Sequence, residues 1–168
     1  MVFADTEVDD RDPSVALLSD GRLICDFFKS GWDYELGTNR IRVAITTSQD
    51  GGTTWGEPKE VNTPFDWVCA CSAPVCELSA ATLILPFYGC CLSDRMEPRE
   101  HYAGHLKAAT MRSSDRGKTW TDFRIITPDA DAERSEPAVI ELPGGKLLCV
   151  IRRHAYVSFS AGKGLSGP

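Results

Sequence analysis

Ser48-Gln49-Asp50-Gly51-Gly52-Thr53-Thr54-Trp55 returns 65 residues later as Ser113-Ser114-Asp115-Arg116-Gly117-Lys118-Thr119-Trp120. Both stretches fit S-x-D-x-G-x-x-W, and the reading of this pair decides the fold. An Asp placed there accepts bonds from backbone N–H groups a few residues on, as in an Asx turn. The Gly permits a left-handed backbone, and the Trp lies over the turn and buries apolar area. Asp50 and Asp115 are therefore read as turn-formers rather than catalytic acids. A worn third copy spans Ser160 to Gly167, with Gly162 in place of Asp and Gly167 in place of Trp.

A second repeat interleaves with the first. Asp12-Pro13-Ser14-Val15-Ala16-Leu17-Leu18 runs through Ser19-Asp20-Gly21 into Arg22-Leu23-Ile24. The pattern returns at Ala73-Pro74-Val75-Cys76-Glu77-Leu78 and at Glu136-Pro137-Ala138-Val139-Ile140-Glu141-Leu142, with prolines 61 and 63 residues apart. Each copy reads as a β-hairpin. Proline starts a strand without needing to donate to the ladder, and the turn residues accept positive φ. Ser79-Ala80-Ala81 lacks Gly and makes the weakest of the three turns. The flanking runs are nearly all apolar, as strands buried on both faces are.

Together the motifs define one four-stranded unit per 61 to 65 residues. Strands are expected near 14–18, 22–28, 40–47 and 57–61, then near 74–78, 82–88, 105–113 and 122–126. A third set is expected near 138–142, 146–152 and 155–160. Radial repetition of four-stranded units makes a β-propeller. The fold class is thus all-β, a partial propeller of about three four-stranded antiparallel blades. Blade 1 covers about 10–63, blade 2 about 70–128 and an incomplete blade 3 about 135–168.

Composition excludes several function classes. The 168 residues suit a single domain. Eighteen Lys and Arg against 24 Asp and Glu give a net charge of −6. A binder of nucleic acid or of anionic lipid needs a basic face, so neither partner is expected. No apolar run approaches the roughly 20 residues that span a bilayer. Met1 to Glu7 shows no basic start followed by an apolar stretch, so no signal peptide is read, and a soluble, cytoplasmic protein is favoured. Seven cysteines form no zinc pattern: Cys69-Ala70-Cys71 and Cys90-Cys91 lack C-x₂-C spacing. Cys25 and Cys149 read as small buried hydrophobes. No metal and no cofactor are expected.

The S-x-D-x-G-x-x-W motif, an Asp box, together with the Pro-led hairpin, resembles the sialidase superfamily from about Asp10 to Ser160. That resemblance implies a six-bladed propeller that hydrolyses terminal α-linked sialic acids with retention. In the family three arginines hold the substrate carboxylate, a Tyr assisted by a Glu is the nucleophile, and an Asp is the acid/base. A neutral Tyr avoids the repulsion that a carboxylate nucleophile would meet, and guanidinium forks grip a carboxylate at two points.

Carried over by residue, the resemblance implies Arg11 as the first arginine, although Asp12 stands where Ile or Leu is usual. Arg11 paired with Asp9, Asp10 or Asp12 on the surface is the competing reading. Glu136 resembles the glutamate that activates the Tyr, against an alternative pairing with Arg134. Arg152 resembles the second arginine, with Arg153 as the competitor. The acid/base is sought in the expected loop 29–39, where Asp33 is the first choice and Glu35 the second. Ser48, Asp50, Gly52, Trp55 and Ser113, Asp115, Gly117, Trp120 are structural Asp-box residues. His101, Tyr102 and His105 lie in a long insertion and read as exposed loop residues. The family's third arginine and nucleophilic Tyr come from later blades, and none of Tyr34, Tyr88, Tyr102 and Tyr156 matches their context. The sequence is therefore read as the N-terminal half of such a propeller. The expected ligand is a carbohydrate, a sialoglycan or another acidic sugar. Alternatives are a non-catalytic acidic-carbohydrate module and a half-propeller that closes as a homodimer.

Overall fold

A computed structural model describes residues 8–94, 106–126, 133–152 and 156–160. The first blade runs β1 (Asp9–Leu17), β2 (Leu23–Asp33), β3 (Thr38–Ser48) and β4 (Lys59–Glu60), each antiparallel to the next. After β5 (Val68–Ala70), the second blade runs β6 (Cys76–Glu77), β7 (Leu83–Cys90), β8 (Lys107–Ser113) and β9 (Thr121–Ile125). The third comprises β10 (Ser135–Glu141), β11 (Leu147–Arg152) and β12 (Tyr156–Phe159). This is the partial propeller of four-stranded units that the repeats predict. Among the described residues no helix is long and apolar enough to cross a membrane.

Two features differ from expectation. The stretch 29–39 is not an open loop, because β2 and β3 stay paired out to Asp33 opposite Thr38. A tight turn makes this possible: the Gly37 N–H donates to the Asp33 carbonyl at 2.8 Å, and Gly37 takes φ 61°. The second difference is β5, which pairs parallel to β3 at Ile41–Val68 and antiparallel to β7. It joins the first two blades into one continuous sheet. Close approach there requires Gly89, since a Cβ would lie 2.0 Å from the Val68 carbonyl oxygen.

Packing follows the two-residue period of β7. Leu83, Leu85 and Phe87 join Leu18, Ile24, Val43 and Ile45 between the first and second blades. Ile84, between them in sequence, joins Val139, Leu147, Cys149 and Ile151 between the second and third. β7 is thus buried on both faces, which explains its unbroken apolar run. Cys25 and Cys149 are buried as expected, and the seven cysteines are unpaired.

A repeated clasp fixes neighbouring blades. Glu77, next to Leu78, accepts from the Ser19 N–H at 2.5 Å and the Ser19 hydroxyl at 2.8 Å. One blade on, Glu141 accepts from the Ser79 N–H at 2.6 Å and its hydroxyl at 3.0 Å. The three hairpin turns superpose in pattern, because Leu18, Leu78 and Leu142 each donate to the residue four positions on. The Ser position is Pro143 in the third blade, and the Glu position is Leu17 in the first. Proline has no N–H to offer, so the clasp in this form belongs to the two internal junctions. Ala81 adopts φ 58° where the other turns use Gly21 and Gly145, so the glycine-less turn forms at some strain.

Charge-assisted bonds between packed elements couple energetically. A double-mutant cycle of Ser79→Ala and Glu141→Gln, followed by chemical denaturation, is expected to give a coupling energy of about 1 kcal/mol. Strict additivity would remove the clasp from the account of blade spacing.

Candidate functional site

The two S-x-D-x-G-x-x-W turns have matching bonds. Asp50 Oδ1 accepts from the Thr54 N–H at 2.8 Å and Oδ2 from its hydroxyl at 2.6 Å. Asp115 does the same with Thr119, at 2.8 and 2.6 Å. The Ser48 and Ser113 hydroxyls donate to these carboxylates and accept from the Gly52 and Gly117 N–H groups. These bonds, led by the threonine hydroxyls, hold both aspartates down at about 2. Ser160 takes the corresponding place in the third blade, accepting from the Leu147 N–H at 3.2 Å. The rest of the worn copy lies outside the described residues, as do His101, Tyr102, His105 and Arg153.

The opposite ends of the inner strands are where reactive side chains gather. β1 loses its register between Arg11 and Ser14, and β10 loses it between Ser135 and Ala138. At the two bulges Asp12 adopts φ 50° and Glu136 φ 53°, each just before a proline. Left-handed backbone at a non-glycine residue is strained, and such strain clusters at functional sites. In the second blade the equivalent segment, Ser72-Ala73-Pro74, links β5 to β6.

A side-chain bond joins the first- and second-blade segments, and the third, on β10, packs against β7. The Ser72 hydroxyl donates to Asp12 Oδ2 at 3.2 Å. Tyr88, on β7 opposite Ala70, has the Ser72 hydroxyl as a polar neighbour. Burial raises the Tyr88 phenol; the neighbouring Ser72 hydroxyl lowers it, and the negative fields of Glu136 and Asp12 raise it further. Glu136 pairs with Arg152, which lies opposite Ser135 in the β10–β11 ladder. That bond is the main reason the Arg152 guanidinium is held above its usual range, and Tyr88 adds to it. The Arg152 side chain is 66% exposed, so its other N–H groups remain open to a ligand. One member from each blade thus contributes an anion or hydroxyl, and Arg152 supplies the cation.

Arg11 sits at the rim, with its Nε donating to Asp9 at 2.6 Å. Asp33 lies at the tip of the β2–β3 hairpin. It accepts from the Glu35 and Leu36 N–H groups at 3.0 and 3.1 Å and pairs with Arg40 at 3.5 Å. The Leu36 bond leads in holding its carboxyl low, so Asp33 stands as an ionised turn-former. Among the described residues no group of three His, Cys, Asp or Glu side chains gathers as around a metal ion.

Asp26 was passed over in the sequence as one polar letter in an apolar strand. It stands opposite Ser14 and is fully buried. Its Oδ1 accepts from the Val75 N–H at 3.2 Å, across the junction between the first two blades. Its Oδ2 is buried without a hydrogen-bond partner, and the Cys71 thiol is a polar neighbour. Burial is the main cause of its rise to about 7, against the bond from Val75. Ser14, its partner across the ladder, directly follows the Asp12-Pro13 bulge, so Asp26 stands beside the first-blade part of the cluster.

A carboxyl raised by folding stabilises most while both folded and unfolded forms are protonated. Stability from Asp26 is therefore full below 3.8 and is lost as the pH rises through about 7. Asp26→Asn keeps the Val75 acceptor and is expected to flatten that part of the stability profile. An unchanged slope in the Asn variant would show that Asp26 does not titrate there.

Residues 13–166 match the family described as BNR repeat-like domain. No curated protein matches. Among solved structures, a protein of unknown function from Dyadobacter fermentans superposes with a TM-score of 0.79 and 16% identity, over 96% of this chain and 50% of that one. The NanB sialidase of Streptococcus pneumoniae gives 0.64 and 10%, over 99% and 45%. An α-L-arabinanase of Penicillium chrysogenum complexed with arabinobiose gives 0.59 and 19%, over 89% and 44%. The chain spans half or less of each of these proteins.

Proposed function

Because the chain belongs to the BNR repeat-like domain family, we propose that it forms the carboxylate-binding part of a sialidase-like glycoside hydrolase centre for terminal sialic acid. The observation that carries this reading is the gathering of Asp12, Ser72, Tyr88, Glu136 and Arg152 at one end of three blades, with strained backbone at Asp12 and Glu136. Solved structures that share the fold include a sialidase and an arabinanase, both proteins that act on sugars. Arg152 is the residue assigned to the ligand's carboxylate. It exchanges water, but not Glu136, for the sugar, and its planar fork fits two-point contact. Arg11, one residue from Asp12, is assigned as a second guanidinium that trades Asp9 for the ligand.

Tyr88 has the properties of a donor. A phenol held above its usual range stays protonated near neutrality, so it gives a hydrogen bond to the sugar rather than attacking it. Glu136 orients Arg152 and adds to the field at Tyr88. An acid/base role for Asp33 would require it to leave its turn and Arg40, so the proposal rests on binding. A second reading is a non-catalytic module for acidic carbohydrate, in which Arg152 and Tyr88 bind the sugar without cleaving it. Its dimeric form draws on exposed Val15 and Leu17 on β1 and on Ile140, Val150, Val157 and Phe159 in the third blade.

Titration with N-acetylneuraminic acid tests both readings. Arg152→Gln is expected to weaken binding by roughly tenfold or more, with the thermal midpoint little changed. Unaltered affinity in that variant would sink the assignment of the carboxylate to Arg152.

A further inference from the structure

We propose that the outer flank of the first blade holds a second carbohydrate site, a groove that takes an acidic oligosaccharide. Two cavities lie there, of about 340 and 180 Å³, and both are walled by Glu60 and Val61. The larger sits between the outer edge of the first blade and the second blade's Asp115 turn. Its wall carries Arg22, Lys59, Arg116 and Lys118, with Trp120 as the aromatic surface. The smaller is lined by Arg40 and Arg42, two side chains on one face of β3, with Asn62 and Thr63.

The strand register sets the length of this groove. Arg40 and Arg42 lie opposite Gly31 and Lys29, near the Arg11 end of the blade. Arg22 lies at the hairpin turn at the other end, next to Leu23 opposite Ser48. From residue 40 to residue 48 a strand rises by about 25 Å, enough for several sugar rings. The groove follows β3 and β4, whereas the Arg152 cluster sits on the inner strands. The two sites are separate, and this inference does not rest on the reading of the Arg152 cluster.

Charge in the groove is only partly balanced within the fold. Asp20 is shared by Arg22 at 2.9 Å and Arg116 at 2.7 Å, one carboxylate between two guanidiniums. Arg22 Nη2, Arg40 Nε and Arg42 Nε are buried without a hydrogen-bond partner among the described residues. Each of these arginines has a carboxylate neighbour, Asp20 for Arg22, Asp33 for Arg40 at 3.5 Å and Glu60 for Arg42 at 3.5 Å, yet these nitrogens keep hydrogen-bonding capacity that the fold does not use. This cationic strip stands out on a chain of net charge −6.

The chemistry favours sugar over nucleic acid. Glu57 and Glu60 interrupt the cations, which suits charges spaced one per sugar ring and opposes the continuous phosphates of a nucleic-acid strand. Gln49, Thr47, Asn62 and Thr63 offer the amide and hydroxyl groups that a polyhydroxylated ligand needs. The Trp120 face is suited to packing on a sugar ring.

Calorimetric titration of the 168-residue chain with a galacturonic acid tetrasaccharide at low salt tests the proposal. Saturable binding that weakens with added salt is expected, and a neutral galactose tetrasaccharide is expected not to bind. In an Arg152→Gln background, where the other acidic-sugar site is removed, Arg42→Gln combined with Lys118→Gln is expected to weaken the acidic ligand about tenfold or more. Lys118 is exposed, so Lys118→Gln alone keeps the test open should the double variant fold poorly; about threefold weaker binding is expected. No binding in the Arg152→Gln background, or full binding there by these variants, would overturn the groove. Tighter binding of a single-stranded DNA oligonucleotide than of the tetrasaccharide would overturn the ligand class.

Discussion

The structure depends on β7 being covered from both sides. Leu83, Leu85 and Phe87 face one neighbouring blade and Ile84 the other, and each is essentially removed from solvent. Such a strand has no stable exposed state, because roughly 25 cal/mol is lost for each Å² of apolar area left in water. Its neighbours must therefore pack at propeller spacing. The Glu77–Ser19 and Glu141–Ser79 clasps then fix the relative height of the blades with directional, charge-assisted bonds. Apolar packing sets distance, and the clasps set register. The same division of labour appears at β5, where Gly89 lets a connecting segment approach so closely that it becomes part of the sheet.

Register has a functional consequence. The clasps lie at the turn ends of the inner strands, and the bulges before Pro13 and Pro137 lie at the other ends. With the turns held level, the bulges are level too. Asp12, Ser72 and Glu136 then arrive at one place from three blades, with Tyr88 and Arg152 behind them on second strands. Strain at Asp12 and Glu136 is tolerated because ladders on both sides of each bulge determine the backbone there. Asp26 belongs to the same junction. Pro86 and Val150 occupy the related rungs of the other blades, so a buried carboxyl stands where the pattern calls for an apolar residue. Local inconsistency of this kind is expected beside functional sites.

How much of this was legible follows from the range of the interactions. The Asp50 and Asp115 turns close within seven residues, so their bonds follow from composition and spacing alone. The Pro-led hairpins were legible for the same reason, and even Ala81 took the positive φ that its position demands. The clasps were half visible, since Glu77 and Glu141 recur in phase, but their partners lie a whole blade away. Arg152 and Glu136 came from the family resemblance, whereas Tyr88, Ser72 and Asp12 did not. Their meeting depends on three blades at once, and no local pattern marks it. β5 escaped because three residues carry no period, and the 29–39 stretch was misjudged because its Gly and polar residues resemble a loop. Asp26 escaped because one letter in an apolar strand carries no signal until its burial is known.

The central claim is that register between blades builds a carboxylate-binding site from inner-strand ends. A crystal structure of the chain with N-acetylneuraminic acid tests it directly. The account predicts the sugar carboxylate within hydrogen-bond distance of the Arg152 guanidinium, with the Tyr88 hydroxyl directed at the same ring and the Glu136–Arg152 pair intact. A sugar bound elsewhere on the chain, or Arg152 turned away while Tyr88 and Glu136 make no contact, would contradict it.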